Sequence, residues 1–330
     1  MKNSGDGGGI CFGGGMSHPQ LVGVQRIVRV EGGERVWMED HVAVEEPLEI
    51  WVAGRSVAVV MRTPGHDREL VAGFLIGEGM VRSRDDIVDM VRCRGEEGAV
   101  GGGRGERDDR MVGLPVRRPN EPASGAEDGV RPLGAGAGGE GGESGVENRL
   151  EVILAPSVAV DWGRVTRNVL TSSSCGICSK ASIESLRVQA GPLVGGMVVR
   201  RRVVVALPER LRAAQAGYAA SGGLHASALF DGDGQLEVVR EDVGRHNALD
   251  KVIGAAFFAE RLPLSGRILL VSGRVSFELM QKAWVAGIPA VVALSAPTTA
   301  AVALAEVSGQ VLVGFLRGER MNVYAGTLAE

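Results

Sequence analysis

The order of apolar and polar positions divides the chain into two parts of different character. Gln25 to Val30 alternates, Glu31-Gly32-Gly33-Glu34 can turn, and Leu48–Val52 and Ser56–Arg62 flank a second turn at Ala53-Gly54-Arg55. Alternation with period two, broken by glycine turns, predicts a small antiparallel sheet. After Thr63-Pro64-Gly65, the residues Leu70, Val71, Phe74 and Leu75 recur at helical spacing until Gly77 and Gly79, which predicts one helix packed on that sheet. Leu150 to Leu154 reads as a further strand belonging with these elements.

From His225 onward, short apolar runs alternate with longer amphipathic ones. His225–Phe230 and Leu236–Arg240 flank Asp231-Gly232-Asp233-Gly234 and predict a hairpin. Leu249, Val252, Ile253, Ala256 and Phe257 mark one helical face at i, i+3, i+4, i+7 and i+8. Ile268–Val271, Ala290–Leu294 and Val311–Leu316 read as buried strands, separated by one helix with Phe277, Met280 and Trp284 on one side and another over Thr298–Val307. Strands that alternate with helices need crossover connections and hence parallel pairing. The expected architecture is α/β: a larger C-terminal domain over 161–330 with a mixed, largely parallel sheet and flanking helices, and a smaller N-terminal α+β domain over 21–160.

Composition qualifies this picture. The chain has 50 glycines in 330 residues, about twice the usual share of roughly 7%, and they crowd residues 1–20 and the stretch Gly95 to Gly145. Such segments offer too little apolar surface to offset the entropy of ordering their backbone. Residues 1–20 are therefore expected to be a disordered leader and 95–147 a disordered insertion in the smaller domain. With 36 basic against 40 acidic residues and a formal charge of −4, no broad cationic field exists for nucleic acid, and none is expected as a partner. The most apolar long stretch, Val285–Ala305, is interrupted by Pro289, Ser295, Pro297, Thr298 and Thr299, whereas a spanning helix needs about 20 mostly apolar residues. Met1–Met16 lacks the apolar run of a secretory signal. The expectation is a cytoplasmic protein without a membrane partner.

Four cysteines are too few for a disulfide scaffold, but Cys175 and Cys178 form a C-x-x-C pair inside the hydroxyl-rich segment Thr171–Lys180. A thiolate is the reactive form of cysteine, and Lys180 or a helix over Ala181–Val188 would stabilise it. The pair could instead be structural, or half of a zinc site, which needs four ligands. Cys11 in the leader and Cys93 at the edge of the insertion make a poor second half. Zinc deaminase chemistry, which uses H-x-E before P-C-x-x-C, also fails: Ser227 stands where the Glu after His225 would be, and the C-x-x-C precedes that His by about fifty residues. No metal site is expected.

Three further segments lie at junctions where open α/β sheets bind ligands. Asp242-Val243-Gly244-Arg245-His246-Asn247 precedes the clearest helix, although Asn247 could simply cap it. Ser272-Gly273-Arg274-Val275-Ser276 and Ser295-Ala296-Pro297-Thr298-Thr299 follow predicted parallel strands. Helix N-termini attract phosphate, so Arg274, Ser276 and Arg245 are the candidate phosphate contacts. The segment Phe315-Leu316-Arg317-Gly318-Glu319-Arg320 places two cations beside a glycine and an aromatic ring. It suits a nucleotide, or equally a charged edge turn.

Taken together, several segments resemble the formate dehydrogenase accessory sulfurtransferase family (FdhD). They are Val44–Leu48, Thr63–Gly65 with Gly73–Leu75 and Glu78-Gly79, Ser173–Cys178, Gly223–Ala226, Arg240–Ala248, and Ser272–Arg274 with Gln281–Ala283, in order along the chain. Ser179 departs from the glycine expected after the second cysteine. The resemblance implies a larger domain folded like cytidine deaminases and a sulfur carrier that takes persulfide sulfur from a cysteine desulfurase. It implies transfer of that sulfur to the molybdenum cofactor, in its bis-molybdopterin guanine dinucleotide form, before the cofactor enters formate dehydrogenase. Cys175 would bear the persulfide, Cys178 would be the second catalytic thiol, and Phe315–Arg320 would match the cofactor-binding segment. The cofactor is then a bound substrate. The desulfurase, the catalytic subunit of formate dehydrogenase and a second copy of the chain are the expected partners. A noncatalytic cofactor chaperone and a redox switch closed by a Cys175–Cys178 disulfide are the competing readings.

Overall fold

The computed structural model describes residues 21–93, 148–162, 193 and 197–330. The expected leader, the insertion, the Thr171–Lys180 segment with Cys175 and Cys178, and the helix expected over Ala181–Val188 lie outside the described residues.

Strands β1 (Val22–Glu31) and β2 (Glu34–Ala43) form a separate two-stranded ribbon. A four-stranded sheet follows, in the order β4 (Arg55–Arg62), β3 (Glu46–Val52), β6 (Arg149–Leu154), β5 (Ile87–Arg92). The expected antiparallel sheet is thus two sheets, and the second is mixed, because β6 enters beside β3 in parallel register, Ile50 opposite Leu150. That pairing joins residues about a hundred apart, which no local pattern encodes. β5 is a strand that periodicity did not predict. Helix α1 (Asp67–Gly77) turns Leu70, Val71 and Leu75 into the same apolar core as Leu48, Ile50 and Val52 of β3, as the sequence leads one to expect.

The C-terminal part builds a six-stranded sheet, in the order β13 (Arg320–Ala325), β12 (Val311–Arg317), β11 (Ala290–Ala293), β10 (Ile268–Val271), β8 (His225–Phe230), β9 (Leu236–Asp242). β10, β11 and β12 are parallel, while β8, β9 and β13 run antiparallel to their neighbours. All four residues of β10 and of β11 are buried, as expected of central strands covered on both faces. Ile268 and Leu270 face Val204, Leu207 and Leu211 of helix α2 (Arg201–Ala214), which packs on one side, with the short helix α3 (Ala216–Ser221) following it. Leu269 and Val271 face the opposite core, shared by α4 (Arg245–Phe258), α5 (Phe277–Val285) and α6 (Thr299–Ser308). Short β7 (Val199–Arg200) and β14 (Leu328–Ala329) pair in parallel.

One core cluster runs through α4 to α1 and on to the four-stranded sheet. The helices meet where two glycines allow it: a Cβ on Gly73 of α1 would stand 1.9 Å from the Asp250 carbonyl oxygen. Each fully buried Val, Leu or Ile of this cluster contributes about 1.5–3 kcal/mol, so the shared core ties the four-stranded and six-stranded sheets energetically. Among the described residues no helix is long and apolar enough to cross a membrane.

Candidate functional site

The topology brings the three expected junctions to one edge of the six-stranded sheet. Parallel β10, β11 and β12 end there, and because β8 is antiparallel to β10, its first residue His225 lies at the same edge as Gly273. β9 ends there too, with Asp242 opposite His225, and α4 starts three residues later. Direct contacts then run across the edge. A Cβ on Gly273 would lie 3.3 Å from His225 Nδ1 and 3.5 Å from Arg245 Cδ. Val275 bridges to Pro297, and the Phe315 N–H donates to the Ser295 carbonyl at 3.1 Å. Arg245, Arg274, Ser276 and Phe315 are therefore members of one contiguous surface, as crossover connectivity requires.

Within it the residues differ in what they have left to offer. Ser276 caps α5, accepting from Leu279 N–H, and its hydroxyl pairs with His246 Nε2 at 3.0 Å. A cap of this type is worth about 1 kcal/mol, so this hydroxyl is already employed. Glu278 lies 3.6 Å from the same imidazole nitrogen. Arg274 is exposed. Arg245 has a buried Nε without a hydrogen-bond partner among the described residues. Buried N–H groups are normally paired, so Arg245 presents a donor to this edge.

The imidazoles are neutral. Burial, then the positive charges of Arg245 and Lys282 and the neighbouring His225, push His246 down to about 3. Burial and Arg245 also lower His225. With two neutral rings and a guanidinium, the edge offers hydrogen-bond donors, a setting that suits an anionic or carbonyl-rich ligand.

The segment Phe315–Arg320 divides into two. Phe315 has a positive φ of 54° and is partly exposed, while Leu316 is buried in the core beside α2. Arg317, Gly318, Glu319 and Arg320 form the exposed turn between β12 and β13, with Gly318 at φ 56°. Arg201, at the start of α2, reaches Glu319 at 3.5 Å. Such an exposed pair contributes little, about 0–1 kcal/mol.

Below the edge, buried charges join the site to the N-terminal half. Asp242 accepts from Gly244 N–H at 2.8 Å and Thr63 N–H at 3.1 Å, and its carboxylate pairs with Lys251 at 2.7 Å. Lys251 also donates to the Thr63 carbonyl at 2.8 Å. Asn247 does not cap α4. Its amide donates to the Met61 carbonyl and to Asp242 Oδ1, at 2.7 and 2.9 Å. A second buried pair, Lys282 with Asp250 at 2.9 Å, links α5 to α4. Burial opposes the Lys282 charge, but Asp250 outweighs it and holds Lys282 protonated. Removing one partner of such a pair costs about 3–5 kcal/mol. The sequence pattern singled out the acid at 242 but not its partner Lys251, nor the pairing of Lys282 with Asp250. The available signal was that α4 is buried from Ala248 to Phe257, so charges within that run must be paired.

An α/β chain with helices on both faces of a mixed sheet, parallel only across its central β10, β11 and β12 rather than largely parallel as expected, and with basic junctions gathered at those strands' carboxyl edge, is the class this architecture defines. Residues 43–329 match the FdhD/NarQ family, and the chain belongs to it. It is 43% identical over 302 residues to the sulfur carrier protein FdhD of Mycobacterium tuberculosis, covering 91% of this chain and 95% of that one. To the sulfur carrier protein FdhD of Sulfolobus acidocaldarius it is 36% identical over 299 residues, covering 91% and 94%. The fold is also that of a Desulfotalea psychrophila crystal structure, assigned provisionally as a formate dehydrogenase accessory protein. The TM-score is 0.61 at 22% identity, over 93% of this chain and 97% of that one.

Proposed function

We propose that this chain is a sulfur carrier that serves molybdenum cofactor maturation. The Cys175 thiolate attacks the terminal sulfur of a desulfurase persulfide, forming a new S–S bond while the desulfurase thiolate leaves. Attack of the Cys178 thiolate on Cys175 Sγ then expels the terminal sulfur as sulfide and forms a Cys175–Cys178 disulfide, which a thiol reductant reopens. The sulfur acceptor is the bis-molybdopterin guanine dinucleotide form of the cofactor, a substrate bound before its insertion into formate dehydrogenase. The names of the relatives support sulfur carriage. The observation that supports the cofactor reading is the convergence of Arg245, Arg274 and Phe315 at one sheet edge, with the Arg317–Arg320 turn following Phe315 along the chain.

In this reading the guanine nucleotide ends lie near Phe315–Arg320 and the phosphates near Arg245 and Arg274, with Ser276 contributing through the start of α5. The competing reading, a cofactor chaperone without sulfur chemistry, needs the edge but not the thiols. Calorimetric titration with GDP, a fragment of the cofactor, tests the edge: Arg317→Ala combined with Arg320→Ala is expected to weaken binding at least tenfold. Unchanged affinity in that double variant would remove the nucleotide from this turn.

A further inference from the structure

His225 opens β8 at the site edge and is only partly exposed, yet its ring makes no hydrogen bond or ion pair among the described residues. Nor does the Arg245 guanidinium among those residues, and its Nε is buried. Buried polar groups are normally paired, so two such side chains in one place mark a position where something from outside is bound. They do share one place. Both border the point that a Cβ on Gly273 would occupy, His225 Nδ1 at 3.3 Å and Arg245 Cδ at 3.5 Å. Gly273 has no positive φ that would require a glycine. What its missing side chain supplies is the gap between the ring and the guanidinium.

The nearby carboxylates are committed elsewhere. Asp242 stands opposite His225 in the β8–β9 register, but its Oδ1 accepts from Gly244 N–H and the Asn247 amide, and its Oδ2 accepts from Thr63 N–H and pairs with Lys251. Glu278 lies against His246. The Arg245 charge is therefore left without a counter-charge among the described residues. Arg245 is also the first residue of α4, and Gly244 before it brings no side-chain cap, so the free N–H groups of the first turn add the positive end of the helix to the guanidinium. Burial and Arg245 lower the proton affinity of His225, against the pull of Asp242, and a neutral imidazole keeps one N–H to donate.

We infer that His225, Arg245 and Gly273 form one oxyanion notch, in which His225 is a further ligand-binding residue that donates from Nδ1 to a phosphate oxygen held by the Arg245 charge. The group bound is the diphosphate of a nucleotide, and this rests on the cofactor reading of the edge. A diphosphate is acceptor-only and multiply charged, which matches a guanidinium, a helix N-terminus and an imidazole N–H. A neutral carbonyl ligand would leave the guanidinium unbalanced.

Calorimetric titration of the full chain with pyrophosphate tests the notch. His225→Ala is expected to weaken binding at least about tenfold, the loss of one hydrogen bond to a charged group. Gly273→Ala is expected to weaken it comparably by filling the gap. His225→Asn places an amide nitrogen where Nδ1 stands and is expected to stay within about threefold of wild type. His225→Gln places its nitrogen where Nε2 stands and is expected to behave like His225→Ala. That difference separates a ligand contact from a side chain that only supports the fold. A wild-type chain that does not bind pyrophosphate would overturn the inference, as would alanine variants at 225 or 273 that bind like wild type, or asparagine and glutamine variants that behave alike. The cofactor reading fails separately: GDP that binds no tighter than pyrophosphate would remove the nucleoside from this edge and leave the notch in place.

Discussion

Gly254 of α4 lies so close to Glu69 of α1 that a Cβ added to it would stand 1.8 Å from the Glu69 carbonyl oxygen. With Gly73 against Asp250 on the other helix, this makes α1 and α4 a backbone-to-backbone contact. Two effects compete when Gly254 becomes alanine. Helix propensity favours the change by about 1 kcal/mol, whereas overpacking a close contact costs about 1–3 kcal/mol and more where only backbone can give way. Overpacking wins here, because the obstructing atom is a main-chain oxygen. Gly254→Ala is expected to lower the melting temperature by several degrees or abolish soluble expression. A melting temperature at or above wild type would show that the two helices can separate without cost.

Stability toward acid should register His246. Its imidazole ordinarily titrates near 6.5 and is held down to about 3 in the fold. Between those values the unfolded chain binds a proton at this ring and the folded chain does not, so stability is complete above 6.5 and falls as the pH falls. His225 acts in the same direction. Glu69, held down to about 2 by Arg240 and His66 against the cost of its burial, loses its contribution only below its ordinary value of 4.5. Asp250, whose carboxyl is pushed up to about 7 by its burial, acts in the opposite direction between pH 7 and 5, so the contribution of His246 is read as the difference between wild type and a variant at that ring. His246→Asn is expected to flatten the fall of melting temperature across that interval, even if its absolute value is lower. An unchanged slope would mean the ring is protonated in the folded chain.

The stretch 95–147 is expected to be dispensable. Arg92 lies opposite Leu150, and the Cys93 N–H donates to the Arg149 carbonyl at 3.3 Å, so the two ends of the stretch are adjacent in an antiparallel pair. A short hairpin turn can join them, and a shorter loop costs less to close. Asn148 must be kept, since its side chain meets both Arg62 and Glu46, at 3.1 and 3.2 Å. The shortened chain should be soluble and melt no lower than the full chain. Insoluble or unfolded protein would give the stretch a structural role.

The C-terminal half was legible from its pattern because its signals are local. The face of Leu249, Val252, Ile253, Ala256 and Phe257 is the buried face of α4, and the four-residue runs at Ile268 and Ala290 are central strands. The convergence of the junctions followed from crossover connectivity, since parallel strands must end on one edge. What stayed hidden was non-local or masked by composition. The parallel pairing of β3 with β6 spans the glycine-rich stretch, and β5 has charges only at Asp89 and Arg92, without the period-two alternation of a strand, over only six positions. Helix α2 contains Pro208 and a Val203-Val204-Val205 run, both poor helix signals, yet its buried face of Val204, Leu207 and Leu211 secures it against the sheet. The roles of Lys251 and Lys282 could not be read either, because a buried ion pair is set by which helices meet.

Sulfur carriage is tested most directly by intact-mass analysis of the whole chain after incubation with a cysteine desulfurase and cysteine, followed by peptide mapping. An added mass of about 32 Da, one sulfur atom held as a reversible persulfide, is expected on the peptide containing Cys175. The addition should be removed by a thiol reductant and be absent from the Cys175→Ala chain. No addition to the wild-type chain, or equal loading of the Cys175→Ala chain, would contradict sulfur carriage.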